Sequence, residues 1–503
     1  MIKLKLDRRR LSSRSLLVLG ACLVGLFTAC RTEERFLTLE NNFAGPVDVI
    51  HAGSYFYVLN SDFDRRYDQG SIIVLDPDAE EGAEKLAVVK TPRMGRSLHQ
   101  VGSWMIVGYD RPELEGDGRV ELRSIEDDGL SLPVRAAWDI PCSPINAMIS
   151  PNERYIAVSC IGGDLWAGRL NTAAPEQSNI QHVRSYGVTR RALYFYETDS
   201  QSILFAFPTD IAEPRLADLS AFDRLSYNPA NAINDDGTLE LDEGPNEVPD
   251  VLETELADIR RPDRRLPYQM AIYDLQAAEA EGFPLILNGT VGSPTQADRE
   301  RKFIYFTLKN LEENWENDDQ WNNPERKYYR TNFWAARPDP KGDETVFYLS
   351  HRGFTDSPFA NNILRVKINP DALTDTSQLP ESSDILWYER VYGFSGENPD
   401  LKNYPGDFEF AHVGQDDILL VNHFRDAVYW DPYLQKFSIA FKRLGSSPSE
   451  TPPDEEVGIG FGQSYYQLAV NAQGTVVSGS FYGDSVMILD VTRNGVTLRK
   501  QLY

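Results

Sequence analysis

The chain has 503 residues, a formal net charge of −26 and a hydrophobic fraction of 41%. This hydrophobic fraction excludes a wholly disordered chain, and the acidic charge excludes nucleic acid as a partner. Phe, Tyr and Trp make up 11% of the residues, which favours sheets over helical bundles. A single domain of this length is typical of propellers and large barrels.

The first 29 residues have the character of an export signal and are left out of the fold. A basic region, whose last member is Arg14, precedes an apolar run at Leu16–Ala29. This run is too short to be a comfortable membrane span. Cys22 lies within this run and Cys30 directly follows it, and each of the two cysteines comes after small residues.

The sequence Leu-Phe-Thr-Ala-Cys30 resembles the lipobox of bacterial lipoproteins. The resemblance implies acylation of Cys30, removal of residues 1–29 as a lipoprotein signal peptide, and a tether at 30–41. Cys22 is an alternative acylation site, and an ordinary signal peptide or an uncleaved anchor is another alternative. Arg31 stands where inner-membrane lipoproteins of enteric bacteria carry Asp, so the resemblance implies the outer membrane of the cell envelope.

Removal of residues 1–29 takes away six basic side chains and Asp7, which changes the formal charge from −26 to −31. Such an acidic chain is repelled by anionic lipid headgroups. We therefore expect the lipid at Cys30, and not a basic surface, to hold the protein at the membrane.

The folded part begins with a series of predicted strands at Val47–Ile50, Tyr55–Leu59, Ser71–Leu75 and Lys85–Lys90. The same order of short turn, polar loop and terminal Leu-Asp recurs at Ser464–Asp490. A four-stranded unit that recurs at both ends predicts a closed array, because one such sheet cannot bury both of its faces alone.

Between these units the chain has further groups of four predicted strands, so residues 42–503 are predicted to form an all-β, seven-bladed β-propeller with acidic loop insertions. The spacing leaves six or eight blades open as alternatives. Insertions at about 210–267 and 309–330 are expected to lie outside the core. In the sixth group the third and fourth strands are predicted at Ala427–Asp431 and Lys436–Phe441.

The first unit, with Tyr57-Val58-Leu59-Asn60 before a loop and Val74-Leu75-Asp76 after it, resembles the YVTN-type bacterial β-propeller repeat. The likeness covers about half of the mature chain, and its motif reflects strand packing. Gly108 and Ser350 depart from it where the motif has Asn. The resemblance implies an extracytoplasmic propeller and supplies no catalytic residue.

Loops between second and third strands are expected to converge on one mouth of the propeller channel. The candidate ligand-binding residues on these loops are Asp62, Asp64, Arg65, Asp110, Arg111, His351, Arg352, His423, Arg425 and Tyr482. This mixture of acidic, basic and aromatic side chains is suited to a carbohydrate, a peptide or an organic anion. The alternative is that these loops are polar because they contact water and that their charges pair with each other.

Cys142 and Cys160 are the only cysteines outside the signal region. Export places them in an oxidising compartment, and both are predicted on the same face of the third blade, so a disulfide is expected. The alternative is two buried thiols that do not meet.

The chain lacks a recognisable catalytic or cofactor motif. Asn234, Asp236, Gly237 and Glu243 have the spacing of part of a calcium loop, but Ala232 occupies its first position, so no metal or cofactor is expected. We therefore expect a lipid-anchored scaffold that binds an envelope protein or a carbohydrate. The alternative is a propeller hydrolase or lactonase that uses carboxylates and His423 at the channel mouth.

Overall fold

The structure is a computed structural model. It describes residues 41–63, 65–112, 116–161, 163–185, 191–207, 270–280, 303–306, 332–352, 361–370, 386–393, 402–426, 436–444, 457–461, 465–481 and 483–503. Cys30 and both predicted insertions lie outside these residues. The short strand at Phe303–Phe306, which precedes the second insertion, is described.

The described strands form seven antiparallel sheets of four strands, each built from consecutive strands, and we call each sheet a blade. Blades one to three contain β1 (Pro46–Ala52), β2 (Tyr55–Asn60), β3 (Gly70–Leu75), β4 (Lys85–Thr91), β5 (Gly95–Val101), β6 (Trp104–Tyr109), β7 (Gly118–Ser124), β8 (Val134–Ile140), β9 (Pro144–Ile149), β10 (Tyr155–Cys160), β11 (Asp164–Arg169) and β12 (Asn179–Ser185). A short 3₁₀ helix at Pro175–Gln177 precedes β12.

Blades four and five contain β13 (Ala192–Glu197), β14 (Ser202–Phe207), β15 (Met270–Asp274), β16 (Phe303–Phe306), β17 (Asn332–Pro338), β18 (Val346–Arg352), β19 (Asn361–Ile368) and β20 (Leu386–Gly393), with the short helix α1 (Leu275–Ala280) after β15. Blades six and seven contain β21 (Lys402–Val413), β22 (Asp416–Asp426), β23 (Lys436–Arg443), β24 (Val457–Phe461), β25 (Tyr465–Val470), β26 (Thr475–Ser480), β27 (Ser485–Thr492) and β28 (Gly495–Leu502). The prediction of an all-β propeller is confirmed.

Burial separates the central strands of a blade from its outer edge. Every residue of β3 is buried, whereas in the outer strand β4 only Thr91 is buried and the other residues are partly buried or exposed. Continuous apolar runs are typical of strands that are covered on both faces, here by the blades on either side. In the described part of the chain, no helix has the length and apolar character needed to cross a bilayer.

Hydrophobic clusters join each blade to the next and close the ring. Tyr57 and Leu59 of blade one pack with Leu98 and Val107 of blade two. The seam between the last and first blades is built in the same way, with Val49 and Phe56 against Val477 and Ile488. Blades one and seven each take all four strands from their own stretch of sequence. The first and last blades are therefore joined by side-chain packing.

Ion pairs reinforce this seam on the outer side. Arg499 Nη1 lies 2.6 Å from Asp78 Oδ1, and Lys500 pairs with the buried carboxylate of Glu84. Burial alone would raise the pKa of Glu84, but the hydrogen bond and charge of Lys500 and the backbone hydrogen bonds together outweigh it and lower the pKa below the usual range.

Blade six corrects part of the sequence prediction. Its third strand is β23 and its fourth is β24, so the predicted fourth strand Lys436–Phe441 is the third strand, and the predicted third strand Ala427–Asp431 lies outside the described residues. The physical reason is that β22 continues through the polar residues up to Asp426, which sequence reasoning assigned to a loop.

Cys142 and Cys160 form a disulfide, as predicted, with their Cα atoms 6.0 Å apart. Cys142 lies just before β9, and Cys160 is the last residue of β10. The bridge spans a sequence separation of 18, for which the chain-entropy model gives about 3 kcal/mol of stabilisation.

We expect the double variant Cys142→Ser/Cys160→Ser to lose about 3 kcal/mol of unfolding free energy in a urea titration, because its unfolded chain is no longer cross-linked. Reduction of the wild type is the control and should cause an equal loss. Thiol titration of the denatured, unreduced mature protein should find no free thiol from this pair, and two titratable thiols would contradict the bridge.

Candidate functional site in the central channel

The first strand of each blade lies innermost. Neighbouring first strands contact each other around the whole ring, from β1, β5 and β9 through to β25 and back to β1. Because successive side chains of a strand point to opposite sides, alternate residues of these strands face the central axis. A charged residue at such a position lies where several blades meet.

Charged and polar side chains from different blades meet at this axis, and we call them the channel cluster. Its members are Asp48 on β1, His99 on β5, Arg191 just before β13, Arg337 on β17, Asp407 and Glu409 on β21, and Gln467 on β25. Electrostatic interactions link Asp48 to Arg191, Arg337 and Asp407, which belong to blades four, five and six. The cluster therefore spans the channel.

Arg337 is the centre of the cluster. Its Nη2 donates to Asp407 Oδ1 at 2.7 Å, and its Nε donates to Glu409 Oε2 at 3.0 Å. Nη1 donates to the carbonyl oxygen of Ala336 at 3.2 Å. The guanidinium thus joins blade five to both acids of blade six.

The buried acids of the cluster also bind the backbone of the next blade. Asp48 accepts from the N–H groups of Val49 and Leu98, at 2.8 Å and 2.7 Å. Asp407 accepts from the N–H of Leu468 at 3.2 Å. The same geometry at two places in the ring shows that these carboxylates connect adjacent first strands.

Arg191 occupies the side of the cluster that faces blade five. Its guanidinium carbon lies 4.0 Å from the ring centroid of Trp334, a cation–π arrangement. With the amide of Gln467 oriented to satisfy both neighbours, Gln467 donates to Asp407 and accepts from Arg191 Nη2 at 2.6 Å. Asn146 Nδ2 donates to the Arg191 carbonyl oxygen at 2.7 Å, which brings in blade three.

Burial shifts the pKa values of the cluster. It raises the pKa of Asp48 to about 7, against the opposing effect of the Leu98 N–H and the nearby guanidinium groups. Burial also raises the pKa of Asp407 and of Glu409, although Arg337 opposes the shift in both cases. Burial, together with the charge of Arg337, lowers the pKa of His99 to about 4. At neutral pH His99 is therefore uncharged, while Asp48 is only partly ionised.

Four members of the cluster, His99, Arg191, Arg337 and Glu409, are only partly buried, and Arg337 and Glu409 form an ion pair. The side chains of Arg337 and Glu409 are each 27% exposed, whereas that of Asp407 is fully buried. A polar molecule in the channel can therefore contact the Arg337–Glu409 pair, while Asp407 orients Arg337 from behind.

Of the loop residues predicted from the sequence, Asp62, Arg65, Asp110 and Arg111 have described side chains, and the two arginines contact neighbouring loops. Arg65 donates to the carbonyl oxygens of Arg111 and Pro112, both at 3.1 Å, which joins the loops of blades one and two. Arg111 Nε donates to Ser143 Oγ at 3.0 Å, which continues the link to blade three. These side chains position the loops, and their role in ligand binding stays a prediction.

The two predicted acids of this face are also engaged within the chain. Asp62 is buried and accepts from the N–H of Tyr67 at 3.2 Å, and its Oδ2 lies 3.8 Å from Arg93 Nε. Asp110 pairs with Arg96 Nη2 at 2.6 Å. Burial opposes ionisation of Asp110, but the charge and hydrogen bond of Arg96, together with Ser143 and Arg111, outweigh it and lower the pKa of this carboxyl.

The remaining predicted residues have no described side chain. His351 and Arg352 end β18, and His423 and Arg425 lie in β22, so all four belong to strands and not to loops as predicted. Their strands extend further toward the mouth than the polar composition indicated. Asp64 and Tyr482 lie outside the described residues.

An aromatic pair lies on the same face, at the seam between blades seven and one. The rings of Phe63 and Phe481 have centroids 5.6 Å apart, and the residue Phe63 is 45% exposed. Beside them, Arg66 Nη2 lies 2.5 Å from Asp484 Oδ2. The mouth of the channel therefore combines apolar and charged surface.

Sequence reasoning missed the channel cluster. It looked for charge only in loops, whereas Asp48, Arg337 and Glu409 lie within strands. The signal that was available is a charged residue inside an apolar first strand, as in Pro46–Ile50 and in Asp407–Phe410. Across the described residues, no group of three or more His, Cys, Asp or Glu side chains is arranged to hold a metal ion.

No family model and no curated protein matches the chain. Solved structures with similar architecture include the β-propeller domain of Cps50 (Swd1) from Myceliophteria thermophila, with a TM-score of 0.49, 9% identity, and coverage of 91% of this chain and 98% of that one. Kuenenia stuttgartiensis hydrazine synthase has a TM-score of 0.46 and 11% identity over 90% and 97% of the two chains. Saccharomyces cerevisiae Sqt1 has a TM-score of 0.44 and 9% identity over 93% and 88%. Likenesses of this extent carry no functional argument.

Proposed function

We propose that the protein is a lipid-anchored binding module of the bacterial cell envelope. In this proposal a seven-bladed propeller of the YVTN type presents its central channel to a small polar ligand or to a polar segment of an envelope protein. The seven four-stranded sheets and the packing of blade seven on blade one support a closed ring of this size.

One observation carries the proposal: charged side chains of blades one, four, five and six meet in one channel and leave an accessible pair. Arg337 and Glu409 are each 27% exposed and offer a donor and an acceptor side by side. A few convergent polar groups within a largely apolar scaffold are characteristic of ligand sites. Trp334 is buried and covered by Arg191, so its ring is not available as a stacking surface for a sugar.

A second candidate function is hydrolysis, for instance of a lactone. The observation that favours it is the raised pKa of three carboxyls, with that of Asp48 at about 7, because groups that titrate near neutral pH are suited to general acid–base catalysis. Against it, both oxygens of Asp48 already accept backbone hydrogen bonds. A turnover rate with a bell-shaped pH profile, abolished in Asp48→Asn, would favour the enzyme.

The binding role is tested by affinity purification of the native lipidated protein from its own envelope. We expect an envelope protein or a small molecule to co-purify with the wild type and to be depleted with Glu409→Gln. The control is Glu126→Gln, which removes an exposed carboxylate on blade two. Equal recovery with all three proteins would contradict a channel site.

The lipid anchor is a separate prediction. Metabolic labelling with a fatty-acid analogue should mark the wild type and leave Cys30→Ser unlabelled, because the thiol of Cys30 is the proposed acylation site. Cys22→Ser is the matched control and should retain the label. Equal labelling of the wild type and Cys30→Ser would refute Cys30 as the anchor.

A further inference from the structure

The described chain begins on the outer edge of the propeller. Lys85 Nζ on β4 donates to the main-chain oxygen of Asn41 at 2.7 Å and to that of Tyr503 at 2.6 Å. Lys85 also lies 4.3 Å from the ring centroid of Phe43, which is buried. The tether therefore reaches the fold at the rim, between the outer strands of blades one and seven.

The tether is short. Ten residues lie between Cys30 and Asn41, and an extended chain spans at most about 3.6 Å per residue step, so Cys30 lies within about 40 Å of Asn41. This reach is an upper limit on the distance between the start of the fold and the anchor, and along the chain the rim is the first part of the described fold after Cys30.

Exposed apolar side chains occur on the same rim, among the outer strands with described side chains, which are mainly those of blades one, two, three and seven. The structure describes five exposed large hydrophobic residues, and four of them lie on or next to the outer strands of blades seven, one and two. These four, which we call the apolar rim, are Leu498 at 47%, Tyr503 at 70%, Leu86 at 37% and Val134 at 44% exposure. In the described part of blade three, the outer strand carries no such residue.

We propose that the apolar rim docks on the surface of the bilayer that holds the anchor, so that the propeller lies edge-on with its channel axis roughly parallel to the membrane. This inference rests on the proposed acylation of Cys30. Leucine side chains gain free energy on leaving water, and tyrosine is suited to the membrane–water interface. The acidic charge of the chain makes a neutral lipid surface the fitting partner.

The edge-on arrangement has a consequence for the site. Both mouths of the channel then open sideways, parallel to the bilayer surface, and neither is blocked by lipid. A soluble ligand and a neighbouring envelope protein can both reach the loop face that carries Phe63 and the channel cluster behind it.

The test uses the full-length lipidated protein in phosphatidylcholine vesicles. With Cys30 acylated and Cys142 bridged to Cys160, an introduced cysteine is the single free thiol for an environment-sensitive fluorophore. Labels at Leu86→Cys and Leu498→Cys should shift their emission to shorter wavelength on addition of vesicles. A label at Asn179→Cys, an exposed position on the outer strand of blade three, is the matched control and should not shift.

Each outcome decides a different point. Flotation with the vesicles and unshifted labels at Leu86→Cys and Leu498→Cys would overturn the rim proposal and leave the anchor intact. Failure to float would overturn the anchor and the rim proposal with it. An equal shift in the absence of vesicles, at high protein concentration, would assign the rim to a second copy of the chain and likewise overturn bilayer docking.

Discussion

Replacement of Arg337 with Met is expected to lower the free energy of unfolding by about 3–5 kcal/mol at pH 8. The substitution keeps most of the side-chain volume and leaves the carboxylates of Asp407 and Glu409 without their common partner. The cost comes mainly from Asp407, because its carboxylate is fully buried and would stay out of water without its partner. Urea titration of the purified protein measures it.

The pH dependence of this loss distinguishes charge from packing. Burial already raises the pKa of Asp407 and of Glu409, so without Arg337 both acids are expected to bind protons readily and become neutral. The loss should therefore shrink between pH 8 and pH 5. The control is Arg135→Met, which removes an exposed arginine paired with an exposed glutamate and should cost at most about 1 kcal/mol. A loss at Arg337→Met no larger than in the control, or independent of pH, would contradict the described cluster.

Asp48→Asn is expected to remove a pH-dependent part of the free energy of unfolding that is worth roughly 4 kcal/mol. The reason is that the pKa of Asp48 rises from its ordinary value of 3.8 to about 7 in the folded chain. A carboxyl with a raised pKa stabilises the fold most below pH 4, and this contribution is lost as the pH increases to 7. The wild type should therefore lose stability relative to Asp48→Asn from pH 4 to pH 8. Urea titrations of both proteins at each pH measure the difference.

At pH 4 the variant is expected to be the less stable protein, because both carboxyl oxygens of Asp48 accept backbone hydrogen bonds and an amide has only one such oxygen. Asp139→Asn, at a largely exposed carboxylate paired with Arg119, is the control and should differ from the wild type by a constant amount. A stability difference at Asp48→Asn that does not change with pH would show that its carboxyl titrates in the ordinary range.

The sequence predicts the strands best where the burial pattern is simple. Strands β2 and β3 contain continuous apolar runs, whereas the apolar residues of the outer strand β4 are flanked by Lys85 and Lys90, so composition distinguishes the central strands from the edge. Blade six was mispredicted because β22 continues as a hydrogen-bonded strand up to Asp426, although its last residues have the polar composition of a loop. The disulfide was predictable, since its two cysteines lie close in sequence and in one blade.

The channel cluster could not be predicted, because it depends on which residues meet across the ring. Asp48 and Asp407 lie at opposite ends of the chain and interact only when the propeller closes. Each of these residues, taken alone, is a single charge inside a first strand, and this local pattern does not specify which residues it meets across the ring. Closure of the ring also determines that Arg337 faces blade six, and no local pattern specifies this contact.

The most direct test of the binding account is a ligand screen by thermal shift at pH 7, in which wild type and Glu409→Gln meet the same set of amino acids, organic acids and sugars. Glu409→Gln preserves the size of the side chain and removes the charge beside Arg337. At 100 times its Kd, a ligand adds about 2.7 kcal/mol of stability. The account predicts a compound that stabilises the wild type and binds the variant at least about tenfold more weakly, which corresponds to the loss of about 1.4 kcal/mol. Compounds that stabilise both proteins equally would contradict it.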